Sequence, residues 1–250
     1  MIAGGRRRGA LAAAVLALAL TPSPASAARL QGIDVSRFDD RIDWQRVAAD
    51  GIEFAFVQAS RGAGDDCAVK PRRCGADRFY DRNYARAKAA GIVVGPYHRA
   101  FVTGSSQADV KADARAEATI FVDEVGELRG GDLRPVLDFE SPFADLEPER
   151  MRAWVRTWLR RVRDGLGAKP IIYTNVSSWS ATGDTTEFAL DGHRLWVANW
   201  GVSSPMVPAS NWAGEGWSVW QYTSDGSVAG VEGRVDRDVL RGGLRALSVR

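Results

Sequence analysis

The sequence predicts an α/β fold, an irregular TIM-like (β/α) barrel, on three observations. Eight short apolar runs rich in β-branched or aromatic residues recur from Gly32 onward, the earlier ones alternate with segments of helical periodicity, and the connections turn loop-like after the fifth. Regular βα units are therefore expected through the first five strands and loop-connected strands in the last three. The composition agrees. A chain of 250 residues that is 45% apolar and 26% charged, with 26 glycines and 10 prolines, is neither disordered nor collagen-like, and it can fill a sizeable core.

Ahead of the barrel, Arg6-Arg7-Arg8, an apolar run over 10–20 and Ala25-Ser26-Ala27 read as a secretory signal peptide over 1–27, with 28–250 as one barrel domain. The apolar run is too short for a bilayer core of about 30 Å, so no membrane anchor is expected. Without those three arginines, the balance of 33 basic to 31 acidic residues becomes nearly even. A near-neutral chain argues against nucleic acid or an anionic membrane as partner. The expected product is a secreted, soluble monomer.

The strands are expected at 33–35, 54–59, 92–97, 135–139, 171–174, 195–199, 218–222 and near Val235. The clearest helix begins near Pro148, whose missing N–H suits a first turn, and sets Met151, Trp154, Val155, Trp158, Leu159 and Val162 on one buried face. Gly165 and Gly167 read as its stop. A second helix is expected over 106–125, and after the fifth strand no convincing helix before the C-terminus. Between them, 62–77 reads as a long charged loop holding the only cysteines, Cys67 and Cys74. In an exported chain these are expected to pair as a local disulfide. Two cysteines with the distant His98 and His193 make no zinc cluster, and no metal or cofactor is expected.

A parallel barrel builds its site at the C-terminal strand ends, so polar residues that close apolar runs carry the information. Four carboxylates do so: Asp34, Asp138, Glu140 and Asp236. Asp138 and Glu140 are the sharpest pair, because residues two apart on a strand share a face with Cα atoms about 6.6 Å apart. Acids held so close cannot ionise independently, which leaves a proton for general acid catalysis at a glycosidic oxygen. Tyr97, Tyr173, Trp196, Trp200, Trp220 and Tyr222 surround the same strand ends and offer rings to sugar faces, while Trp154 and Trp158 belong to the core. His98, beside Tyr97, is a further candidate substrate contact. There is no Gly-x-Gly-x-x-Gly after a strand, no phosphate-binding loop, no His-Glu-x-x-His and no Gly-x-Ser-x-Gly.

Read in order, Gly-Ile-Asp-Val-Ser at 32–36, Asp43-Trp44, Gly95-Pro-Tyr-His98, Leu137-Asp-Phe-Glu140, Ile172-Tyr-Thr-Asn175, Leu195-Trp-Val-Ala198, Trp220-Gln-Tyr-Thr-Ser224 and Gly230-Val-Glu-Gly233 resemble glycoside hydrolase family 25, the Chalaropsis-type lysozymes. The resemblance spans roughly 32–240. It implies cleavage of the β-1,4 bond between N-acetylmuramic acid and N-acetylglucosamine in peptidoglycan. It assigns Glu140 as proton donor and Asp138 as stabiliser of positive charge on the sugar, through the substrate's own acetamido group. Asp34 and Asp236 complete the acidic floor, and Tyr97, His98, Tyr173, Trp200, Trp220 and Tyr222 are the expected substrate contacts. The chain departs from the family at Gln58-Ala-Ser-Arg61, where Lys-Ala-Thr-Glu is common, and at Arg99, where an aromatic is usual. Two other readings compete: a glycan-binding module without catalysis, and a hydrolase of another N-acetylated glycan such as chitin. Leu133 and Val136 count against the latter, because the chitinase pattern needs acids at both positions.

Overall fold

The computed structural model describes Met1 and residues 29–39, 41–63 and 75–250. Apart from Met1, the leader expected at 1–27 lies outside the described residues, as does the pair Cys67 and Cys74. The strands are β1 Leu30–Val35, β2 Phe54–Arg61, β3 Gly75–Ala76, β4 Val93–Arg99, β5 Val136–Asp138, β6 Ile171–Thr174, β7 Leu195–Ala198, β8 Val219–Gly226 and β9 Val235–Leu240. All but β3 close a barrel, because β1 pairs with β2 on one side and β9 on the other, while β3 only extends the edge of β2.

The eight barrel strands fall where the sequence predicts them, with one difference in direction. Strand β9 runs antiparallel to both β8 and β1 rather than completing a parallel barrel. The reason is length: residues 227–234 are too few for the crossover a parallel strand needs, so the chain turns back directly. Asp236 thus lies at the start of its strand and still reaches the mouth of the barrel, opposite Asp34 in the register.

Helices cover the outside along the first half of the chain: α1 Trp44–Ala49, α2 Tyr80–Ala89, α3 Gln107–Val125 and α4 Pro148–Leu166. Asp43 caps α1 by accepting from the Arg46 N–H, and Ser106 with Asp109 forms a capping box on α3. In α4, Pro148 occupies the first turn, and Gly167, left-handed at φ +67°, is the stop. Gly165 is not a stop. It sits inside α4, where a Cβ would come within 2.9 Å of Val122 on α3, so its bare backbone lets the two helices close up. Beyond β6 the helices shrink to short turns at Val176–Trp179, Glu187–Leu190 and Pro208–Ala213, and the chain ends on a 3₁₀ turn at Leu244–Ala246 rather than a helix.

Strand alternation divides the core in two. Phe54, Phe56, Tyr97, Val136, Ile171, Tyr173, Trp196, Val219 and Leu240 fill the barrel, while Ile33, Val57, Val94, Leu137, Ile172 and Val197 face the helices, where Trp154 and Trp158 of α4 are fully buried. Gly32 is inward, and a Cβ there would lie 2.3 Å from the ring of Phe54. Overfilling so tight an interior costs about 1–3 kcal/mol. Gly32→Ala is therefore expected to lower the unfolding temperature of the purified protein by several degrees, and an unchanged melting curve would show that the Phe54 ring has room to move.

Candidate active site

Because inward residues recur every second position, each strand end delivers its polar side chain to one mouth. Strand β1 offers Gly32 and then Asp34, β4 offers Tyr97 and Arg99, and β9 offers Asp236 and Asp238 above Leu240. Beyond β5 the chain stays extended, since Phe139 N–H donates to the Tyr173 carbonyl at 2.9 Å. Phe139 turns outward into the core, so Asp138 and Glu140 both face the mouth. They line a cleft of about 180 Å³ with Asp34, Asp236, Tyr97 and Tyr173. Asp138 sits deep, its side chain 10% exposed, and Glu140 stands higher at 31%.

Strand β2 would send Ser60 inward after Phe54, Phe56 and Gln58, but its register slips between Gln58 and Ser60. The bulge reverses the alternation. Ser60 turns outward and Arg61 turns into the cleft. Ser60 is pinned there by a 2.8 Å bond to His98 Nδ1, whose Nε2 is 2.6 Å from the Glu117 carboxylate of α3. Burial pushes the His98 imidazole down to about 3, with Arg99 and Arg61 adding to the effect, which favours the neutral ring; in that form an Nε2–H donates to Glu117 and Nδ1 accepts from Ser60.

The floor is a hydrogen-bonded layer. Gln221 accepts from Tyr173 Oη (2.9 Å) and Trp200 Nε1 (3.0 Å), and its Nε2 donates to Asp34 at 2.7 Å. Trp196, stacked on Phe56 at 4.4 Å, donates from Nε1 to Asp238 at 2.8 Å. Arg99 lies alongside the acid pair, its Nε 3.1 Å from Glu140 and 3.7 Å from Asp138. Its Nη atoms donate to the carbonyls of Ala100, Glu140 and Ser141. The guanidinium is thus held by backbone as well as by carboxylates.

Burial is the main cause raising the acids. Asp34 is pushed up by burial and then by the charges of Asp236 and Asp238. Asp138 is raised by burial and by Glu140, against the pull of Arg99 and Arg61. Burial lifts Asp236 to about 6, with Asp39 and Glu140 adding to it, and Asp238 rises for the same first reason. Among the described residues, three buried polar atoms at the cleft have no partner: Asp138 Oδ1, Gln58 Oε1 and Arg61 Nε. Their grouping marks a surface shaped for a polar ligand.

Of the residues singled out in the sequence, Asp34, Asp138, Glu140, Asp236, Tyr97 and Tyr173 come together at the cleft. His98 does not: it is fully buried between β4 and α3, on the face opposite Tyr97 and Arg99. Trp220 also turns outward, donating to the Asn199 carbonyl, with Tyr222 against it. Trp200 is half exposed and reaches the site only through Gln221. Ser36, Phe38 and Gln221 line the cleft without having been singled out as contacts, and strand alternation from Val219 was the signal for Gln221. Among the described residues no group of three or more His, Cys, Asp or Glu is arranged to hold a metal ion.

A folded-state pKa above the unfolded one means the ionised acid is disfavoured in the fold, so stability is lost as pH rises through the folded value. For Asp236 that window runs from its ordinary value of 3.8 to about 6. Asp236→Asn should therefore melt close to wild type near pH 4 and above it at pH 8, the gap opening through about pH 6. A gap that does not change with pH would place the Asp236 carboxylate in a solvated setting.

The model of glycosyl hydrolases family 25 matches residues 33–231. The chain is 34% identical over 235 residues to lysozyme M1 of Streptomyces globisporus, covering 91% of this chain and 73% of that protein. It is 26% identical over 224 residues to the N,O-diacetylmuramidase of Chalaropsis sp, covering 83% and 96% of the two chains. Its structure superposes on the crystal structure of the bacterial lysozyme from Streptomyces coelicolor with a TM-score of 0.75 at 32% identity, over 88% of this chain and 96% of that one.

Proposed function

The chain belongs to glycosyl hydrolases family 25, and from that premise we propose that it is an N-acetylmuramidase that hydrolyses β-1,4 bonds between N-acetylmuramic acid and N-acetylglucosamine in peptidoglycan. The observation that carries this reading is the pair Asp138 and Glu140 on the inward side of one strand end, in a cleft where Asp138 Oδ1, Gln58 Oε1 and Arg61 Nε have no partner among the described residues. Glu140, the more exposed of the two, is the proton donor to the departing glycosidic oxygen. Asp138 lies deeper and stabilises the positive charge that develops on the sugar, by holding the N–H of the 2-acetamido group as its carbonyl oxygen closes on the anomeric carbon. Water then attacks, and the Glu140 carboxylate takes its proton.

Asp34 and Asp236 complete the acidic floor. Arg99 and Arg61 favour the ionised form of Asp138 that charge stabilisation needs, against its burial and the charges of Glu140 and Asp236, and Asp34 holds Gln221, which ties Tyr173 into the floor. Arg99 steadies the pair: its carbonyl bonds keep it in place when Glu140 turns toward substrate. The leader expected at 1–27 supports action outside the producing cell, and no helix among the described residues is long and apolar enough to cross a membrane.

Glu140→Gln keeps the shape of the site and removes the proton. Release of reducing ends from purified peptidoglycan is expected to fall at least about 100-fold, within the range general acids contribute, with an unchanged melting temperature and retained binding of wall fragments. Wild-type rates in that variant would remove Glu140 from the role of donor.

A further inference from the structure

The cleft has a cationic side that the hydrolysis of a glycosidic bond does not use. Arg61 enters through the bulge in β2, and among the described residues its guanidinium has no hydrogen bond or ion pair, with Nε buried and unpartnered. Asp138, the acid whose charge acts on Arg61, is already engaged by Arg99. The Arg61 guanidinium instead rests on aromatic faces, 5.0 Å from the centre of the Phe101 ring and 5.7 Å from that of Phe38. Phe38 is 78% exposed and stands at the rim of the same cleft. Burial, Arg37 and Arg99 all disfavour the charge on Arg61. A half-buried cation beside other cations, sharing Asp138 with Arg99 and making no ion pair of its own among the described residues, gains most from an anion that arrives with the ligand.

We propose that Arg61, seated on Phe101 and flanked by Phe38, forms a subsite for a carboxylate carried by the glycan substrate. The guanidinium fork suits a carboxylate in two-point contact, and Phe38 offers an apolar face to the carbon atoms beside it. The bulge makes this specific to position 61, because the bond from Ser60 to His98 fixes which of the two residues faces inward. The proposal rests on the muramidase reading for the identity of the glycan. There, two groups supply a carboxylate: the lactyl ether of muramic acid when no peptide is attached, and the peptide stem when one is.

The test compares three tetrasaccharides of alternating N-acetylglucosamine and N-acetylmuramic acid: peptide-free with lactyl carboxylates, peptide-free with those groups converted to amides, and peptide-bearing. Wild type, Arg61→Gln and Arg61→Lys are assayed for kcat and KM. The expected wild-type preference for the carboxylate form over the amide is about tenfold in kcat/KM, a free-energy difference of the size one charge-assisted contact provides. It should be carried by KM, shrink in high salt, fall to near unity in Arg61→Gln and survive in part in Arg61→Lys. An Arg61-dependent preference confined to the peptide-bearing form assigns the carboxylate to the stem. Cleavage of all forms with the same ratios in wild type and Arg61→Gln overturns the subsite and leaves the muramidase standing. If wild type cleaves none, the muramidase reading falls, and calorimetric titration of the two peptide-free forms decides the subsite by itself. Tighter binding of the carboxylate form that is lost in Arg61→Gln supports it, and equal binding overturns it.

Discussion

Four aspartates under one barrel mouth set the terms for the rest of this structure. Asp34, Asp138 and Asp238 are buried and Asp236 is partly so, and their pKa values are raised chiefly by loss of water. Burying charge in an apolar interior is costly unless hydrogen bonds or counter-charges compensate. Here the compensation is uneven. Gln221 serves Asp34, Trp196 serves one oxygen of Asp238 and Arg99 serves the acid pair, while one oxygen of Asp138 and one of Asp238 have no partner among the described residues. A folded state that tolerates such a deficit holds groups poised to exchange protons, which is the condition hydrolysis requires.

The cleft is polar in two senses. Asp34 and Asp236 lie opposite each other on β1 and β9, and Arg61 and Arg99 end the paired strands β2 and β4. This separation comes from backbone geometry. The reversed β9 brings an acid to the mouth from the start of a strand, and the bulge in β2 brings an arginine where plain alternation would bring serine. Both positions are small adjustments of a repeating pattern, and each moves a whole charge.

Most of the architecture was legible because strand runs and the α4 stripe are written in apolar residues, which the chain must bury whatever the details. The acid pair was legible for the same reason, as the polar ending of an apolar run. His98 and Trp220 stand beside strand ends in the sequence but on the other parity: Tyr97 and Arg99 share one face and His98 has the other, and Trp220 stands out of phase with Val219 and Gln221. The direction of β9 was written in the shortness of 227–234. The inward turn of Arg61 was not legible, since a bulge depends on the partner strand and on a buried histidine that only the fold brings to Ser60.

The reversed last strand also decides where the chain comes and goes. Leu30 at the start of β1 is paired with Leu240 at the end of β9, and Leu247 closes the barrel from below while Ser248 bridges to Leu133. Entry and exit are therefore neighbours on the pole opposite the cleft. The points where the described chain enters the barrel at Leu30 and leaves it at Leu247 both lie on the underside, so the mouth is shaped by loops alone.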